Sequence, residues 1–183
     1  MAYFTAVLTP DGPGEGRTWQ TIDVDLEAGS PDELGDALRG AVDDDSPVLA
    51  VLEREDEWFA LVRTDGSLDV RVFVSDAVAA ADSAYAPLFA ELPTASENPG
   101  SPRDDDGDEG DDTDDEDDEG QDAARPEPVV AEDVWAGDPE LVADLGCPAA
   151  VLLRLSGSGA DPSAATVEVA ELLGFADVLE SLR

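Results

Sequence analysis

Of the sixteen residues from Asp104 to Glu119, thirteen are Asp or Glu, and the other three are two glycines and a threonine. No periodicity can gather an apolar face from such a stretch, so nothing offsets the entropy cost of ordering it. It reads as a solvated, self-repelling tether. The tract and its flanks therefore divide the chain into an α+β domain over residues 1–92, a disordered acidic linker over 93–128 and a C-terminal helical segment over 129–183. The first piece is long enough to bury a core of its own. The second, of about 55 residues, is marginal alone, and it either docks on the first piece or folds as a compact helical cluster.

Acidity extends beyond the tract. With sixteen acids and two arginines between Pro93 and Pro128, the rest of the chain still carries 30 acids against 7 arginines, within a net charge of −37. Such a field repels nucleic acid and anionic lipid and draws basic partners. There is no lysine, and the nine arginines are scattered, so the clustered cations that direct phosphate binding needs are missing. The amino terminus shows no basic region followed by an apolar block, and no apolar run approaches membrane-spanning length. The expectation is a soluble cytoplasmic protein with no membrane and no direct nucleic-acid contact.

The pattern before the tract is that of a layered α+β unit. Tyr3 to Thr9 is rich in β-formers and is closed by the Gly/Pro loop Pro10 to Gly14. Thr18 to Leu26 follows, with Ile22, Val24 and Leu26 on one face against Asp23 and Asp25. Ser30-Pro31-Asp32-Glu33 offers an N-cap hydroxyl, proline at the first helical position and an acid three residues after the cap. Leu34, Ala37, Leu38, Ala41 and Val42 then recur at helical spacing. Pro47 to Leu52, Trp58 to Arg63 and Leu68 to Ser75 read as three further strands, the first two apolar on both faces and therefore central. Asp65-Gly66 is a hairpin signal between the last two. Ser75 or Asp76 then caps a helix with Val78, Ala81 and Tyr85, and Pro87 restarts a short turn. The order β-β-α-β-β-β-α implies a mainly antiparallel sheet of about five strands. Past the tract, Asp138-Pro139, Pro148 and Asp161-Pro162 each open a short helix, with Gly174 as a break, giving a small C-terminal helical cluster.

Chemistry is bounded by what is missing. A zinc deaminase holds its metal with His or Cys and with a Pro-Cys-x-x-Cys pair, and this chain has no histidine and one cysteine, Cys147. The same absence removes Ser-His-Asp and Cys-His machinery and structural zinc sites. A single cysteine also forbids an intrachain disulfide, and Cys147 reads as an inert, partly buried thiol at a helix boundary. Gly12 to Gly16 lacks the lysine and following helix of a phosphate-binding loop, and is a hairpin loop. Carboxylates are the plentiful functional group. Glu53, Glu55, Asp56 and Glu57 fall between two predicted central strands, where they either build a paired acid or cation site or simply point to solvent; Asp43-Asp44-Asp45 has the same standing. No catalytic, cofactor-binding or metal-binding residue is assigned, and no cofactor is expected.

Partner-binding candidates are two tryptophans and the tract. Trp58 and Phe59 are adjacent and on a strand face opposite ways, so that one anchors a partner while the other fills the core, or both are buried under two helical layers. Trp135, among Val129, Val130 and Val134, either docks the second part back on the first or belongs to a short segment that binds another protein. The tract candidates are Asp104, Asp105, Asp106, Asp111, Asp112, Asp114, Asp115, Glu116, Asp117, Asp118 and Glu119.

The block SPVLAVLEREDEWFALVRTDGSLDVRVFVSDAVAAADSAYAPLFAEL, followed after the acidic spacer by AGDPELVADLG and LGFADVLESLR, resembles the bacterial tRNA adenosine deaminase-associated protein family. The resemblance spans nearly the whole chain apart from the tract, and Pro47 to Leu92 is its most specific part. It implies a small cytoplasmic protein of high-GC bacteria, named for being encoded beside a tRNA adenosine deaminase, and it carries no catalytic residues over. The function expected is thus a non-catalytic accessory or adaptor protein binding a basic protein partner, with a tRNA adenosine deaminase as the candidate. Two alternatives stand beside it: an acidic nucleic-acid-mimicking or chaperone-like protein that shields basic proteins, and a carboxylate-dependent enzyme.

Overall fold

In the computed structural model, described over residues 3–11, 18–24, 30–42, 47–54, 56–65, 69–93, 134–156 and 160–183, one six-stranded sheet lies between two helical layers. The strands are β1 (Tyr3–Asp11), β2 (Thr18–Thr21), β3 (Val48–Arg54), β4 (Trp58–Thr64), β5 (Val70–Val74) and β6 (Ala136–Gly137). Their order across the sheet is β2-β1-β3-β4-β5-β6, and every neighbouring pair is antiparallel. The α+β class and the mainly antiparallel sheet are as the sequence implies, with one strand more than the five it suggests. That sixth strand is two residues long, too short to show an alternating pattern. Gly137 sits there at φ +96°, where a Cβ would fall 2.0 Å from the Val72 carbonyl oxygen, so only glycine allows the approach.

Strand periodicity sorts the sheet into two faces. Val48, Ala50, Leu52, Trp58, Ala60, Val62, Val72 and Val74 share one core with Leu34 and Leu38 of α1 (Pro31–Gly40), Ala80 of α2 (Ala77–Ala81) and Leu88 and Phe89 of α3 (Ala86–Phe89). Leu49, Val51, Phe59, Leu61 and Phe73 point the other way, to a core shared with α4 (Ala149–Leu155), α5 (Pro162–Leu173) and α6 (Ala176–Leu182). Two covered faces explain why Val48 to Leu52 of β3 and Trp58 to Val62 of β4 are apolar at successive positions rather than at alternate ones. Each Val, Leu or Phe side chain so removed from water contributes about 1.5–3 kcal/mol.

Caps set the helix starts. Ser30 accepts from the Glu33 N–H with Pro31 at the first turn, and Asp76 accepts from the Ala79 N–H. Asp161 accepts from the Ser163 and Ala164 N–H groups, while Gly174 at φ +82° ends α5 in the left-handed region. Asp138-Pro139 opens a turn and a 3-10 segment, Ala143–Leu145, in place of the helix expected there. The loop Gly12 to Gly16, the run Asp43-Asp44-Asp45, residues 157–159, Glu55 and Gly66 lie outside the described residues, as do Val129 and Val130.

The two chain positions that flank the acidic tract meet. The Gly137 N–H donates to the Pro93 carbonyl at 2.8 Å and the Ala77 N–H to the Val134 carbonyl at 2.7 Å. Residues on either side of 94–133 thus belong to the same sheet edge.

Candidate functional site: an acid-rimmed cleft beside a buried charge network

Both tryptophans proposed as anchors are core residues. Trp58 is 0 % exposed, with Phe89 edge-on at 5.4 Å and Tyr85 at 6.3 Å between centroids. Trp135 is 4 % exposed and stacks on Phe73 at 6.0 Å. In this conformation neither ring offers a surface to a partner; Trp58 and Phe59 are both buried, on opposite faces. The proposed acids from Asp104 to Glu119 lie outside the described residues.

Odd-numbered positions of β3, β4 and β5, on the face toward α4–α6, carry the charges Glu53, Arg63 and Arg71. Glu53, in β3, is 5 % exposed; its carboxylate accepts from Thr166 Oγ1 at 2.7 Å, from the Ser163 hydroxyl and from Arg183 at 2.5 Å. The same guanidinium lies 5.2 Å from the Phe4 ring centroid. Arg63, also 5 % exposed, donates to Asp65 at 2.7 Å, to the Leu141 carbonyl at 2.7 Å and to both carboxylate oxygens of Asp144 at 2.5 and 2.8 Å. Burial opposes its charge, but the hydrogen bonds to Asp144 and Asp65 outweigh it and hold the guanidinium above its ordinary value. In return the Arg63 hydrogen bonds hold the Asp144 carboxyl below its ordinary value, against its own partial burial. Arg71 pairs with Asp138 at 2.7 Å. Glu53 therefore departs from the outward-pointing acid expected in that run: it belongs to the strand, and its parity with Leu49 and Val51 turns it inward.

Cys147 is fully buried on this face. Burial, with a smaller push from Glu168, raises its thiol to about 11, which makes it an inert core group.

A cleft of about 320 Å³ opens beside the β3–β4 turn. Phe59 lines it from β4, with Leu155 and Pro162 from the helical layer. Asp56 and Glu57 come from the β3–β4 turn, in which Asp56 takes φ +62° and Glu57 pairs with Arg54 at 2.8 Å. Asp76 reaches it from the start of α2. Two hydroxyls complete the lining. Ser75 Oγ, on a residue 6 % exposed, accepts from the Phe59 N–H at 2.9 Å, and Ser156 donates to the Leu152 carbonyl at 2.6 Å. The cleft draws on four segments spread over about a hundred residues of chain, so no local motif announced it. Among the described residues no group of three or more His, Cys, Asp or Glu is placed to hold a metal ion, and no helix is long and apolar enough to cross a membrane.

Fold and cleft together define a small three-layer α+β protein with an acidic recess between its sheet and its C-terminal helices. Within that class the chain belongs to the Rv3753c-like tRNA adenosine deaminase-associated protein family, whose model matches residues 13–176. The family description speaks of association with the deaminase, which agrees with the resemblance carried by the Pro47 to Leu92 block. No curated protein and no solved structure matches the chain.

Proposed function

We propose that the chain is a non-catalytic accessory protein that binds a basic protein partner, and that this partner is a tRNA adenosine deaminase. The observation that carries the reading is charge: 46 acids against 9 arginines, with thirteen acids packed between Asp104 and Glu119. An enzyme that grips tRNA must present a cationic surface to phosphate, and an anionic protein is complementary to that surface. The family description supports the choice of partner. In this reading the folded layers supply specificity and the acidic stretch 93–128 acts as a linker-borne arm that steers encounter or competes with RNA.

The test uses purified deaminase and the full chain, with binding followed by calorimetry at low and moderate salt. A saturable complex that weakens steeply with salt is expected, and tRNA should compete for it. A variant with residues 94–133 replaced by a short Gly/Ser link should keep its fold, since Pro93 and Gly137 are already hydrogen-bonded. It should bind more slowly and with a shallower salt dependence. No complex with the deaminase, or equal binding to unrelated basic proteins, overturns the proposal; the latter result favours a general shield for basic proteins.

A further inference from the structure

The cleft between the β3–β4 turn and the α4–α5 layer has a composition that selects its ligand. Its volume of about 320 Å³ lies at the lower end of the range of about 300–1,000 Å³ typical of small-ligand pockets. Its carboxylates, Asp56, Glu57 and Asp76, come from two separate segments, and among the described residues no arginine lines it. Arg54, the cation next in sequence, is committed to Glu57. Asp76 spends Oδ1 on the Ala79 N–H and leaves its charge facing the recess. The apolar lining from Phe59, Leu155 and Pro162 suits an aliphatic stem beneath a cationic head.

Ser75 adds an independent requirement. It is 94 % buried on its 6 % exposure, its oxygen takes the Phe59 N–H, and its own hydroxyl hydrogen has no acceptor among the described residues. Because Ser75 lines the open cleft, water can meet that hydrogen, and a ligand that fills the recess must supply an acceptor of its own in place of the water or leave the donor unmatched. A bare amine has no such acceptor. A basic residue within a peptide has one, in its own carbonyl group.

We infer that this cleft captures one arginine or lysine side chain, with its flanking peptide carbonyl, from an exposed segment of the basic partner. The inference rests on the accessory reading above and names the place on the folded layers where specificity resides.

Titration of the full chain with N-acetyl-arginine methylamide, followed by amide NMR, tests it. Saturable shifts at Phe59, Ser75, Ala79 and Ser156 are expected. N-acetyl-citrulline methylamide, equal in shape and uncharged, should leave those signals in place, and agmatine, which lacks the carbonyl, should bind more weakly than the arginine amide. Asp76→Asn keeps the α2 cap, because asparagine caps as well as aspartate, and should weaken the arginine probe by at least about tenfold at unchanged thermal stability. Ala79→Leu, which fills the recess, should do the same without touching a charge. Shifts spread over the acidic surface, equal binding of the citrulline probe, or unaltered affinity in both variants overturn the inference. Deaminase binding that persists at wild-type strength in Asp76→Asn and Ala79→Leu also refutes the cleft and leaves the accessory reading intact. If the wild-type chain ignores the deaminase while the probe still saturates these four residues, the accessory reading falls and the cleft's preference for a basic peptide residue stands.

Discussion

The two faces of the sheet are both buried, yet they are held by different forces. The face under α1, α2 and α3 is closed by segments that lie next to its strands in sequence, and its contacts are almost wholly apolar, centred on Trp58, Leu34, Leu38 and Phe89. The face under α4–α6 is closed by residues 134–183, which return after forty intervening positions. It carries apolar packing and also four polar ties among the described residues, through Glu53, Arg63, Arg71 and the Trp19 indole N–H, which donates to the Leu173 carbonyl at 2.8 Å. Apolar contact is tolerant of sliding, whereas a buried charge must find its partner or lose its hydration for nothing. The polar ties therefore fix where the returning segment docks, and with it the wall of the cleft that α4 and α5 provide.

The largest expected effects come from emptying each face in turn. Trp58→Ala and Phe59→Ala both delete side chains that are 0 % exposed and should each cost about 3–5 kcal/mol, read as a fall in denaturation midpoint. The faces separate in the kind of damage. Trp58→Ala should lower global stability with Cys147 still protected, while Phe59→Ala should also expose Cys147 to a thiol reagent before global unfolding, since that cysteine lies in the second core. Equal labelling in the two variants would show that the layers open as one unit.

Next in size is Arg183→Ala, which leaves the Glu53 carboxylate buried with hydroxyl partners alone. A loss of about 2–3 kcal/mol is expected, because removing the partly exposed guanidinium strands the buried Glu53 carboxylate. If the second face opens on its own, thiol labelling of Cys147 should accelerate by roughly 30- to 150-fold. Glu53→Gln keeps an acceptor and removes the charge, and should be milder than Arg183→Ala. The reverse order would mean that the charge itself, and not its hydration debt, sets the docking.

These faces were unequally legible in the sequence. Ser30-Pro31 announced α1, and the doubly apolar runs at β3 and β4 announced a sheet covered on both sides, because caps and strand parity are local. Glu53 was misread by association with Glu55, Asp56 and Glu57: four acids within five residues suggest a solvated turn, and only the strand boundary at Arg54 separates the buried one from the rest. The parity of Glu53, Arg63 and Arg71 with the second face was nonetheless present in the register. Its counterparts, Thr166, Asp144 and Asp138, are 67 to 113 positions away, and no pattern within a window links them. The cleft was illegible for the same reason. Trp135 carried a fair hint, since an aromatic among valines beside a highly charged tract has little to pack on except the sheet.

The smallest effect isolates one tie by pH. Asp144 has its carboxyl held below the ordinary value by Arg63, so its contribution to stability is present in full above the unfolded value of about 3.9 and disappears as pH falls through the folded value. Asp144→Asn keeps the shape and cannot titrate. The stability gap between wild type and Asp144→Asn should therefore be constant from about pH 5 to pH 8, where no histidine titrates, and should narrow as the pH falls below the unfolded carboxyl value, closing only once the folded one is passed. Its plateau should stay within about 1 kcal/mol, because the Asp144 side chain is 59 % exposed and Arg63 retains Asp65 and the Leu141 carbonyl. Raising salt should shrink the plateau further. A gap that persists at acid pH would assign the tie to hydrogen-bond geometry instead of charge, and would place the electrostatic part of the docking at Glu53 and Arg183.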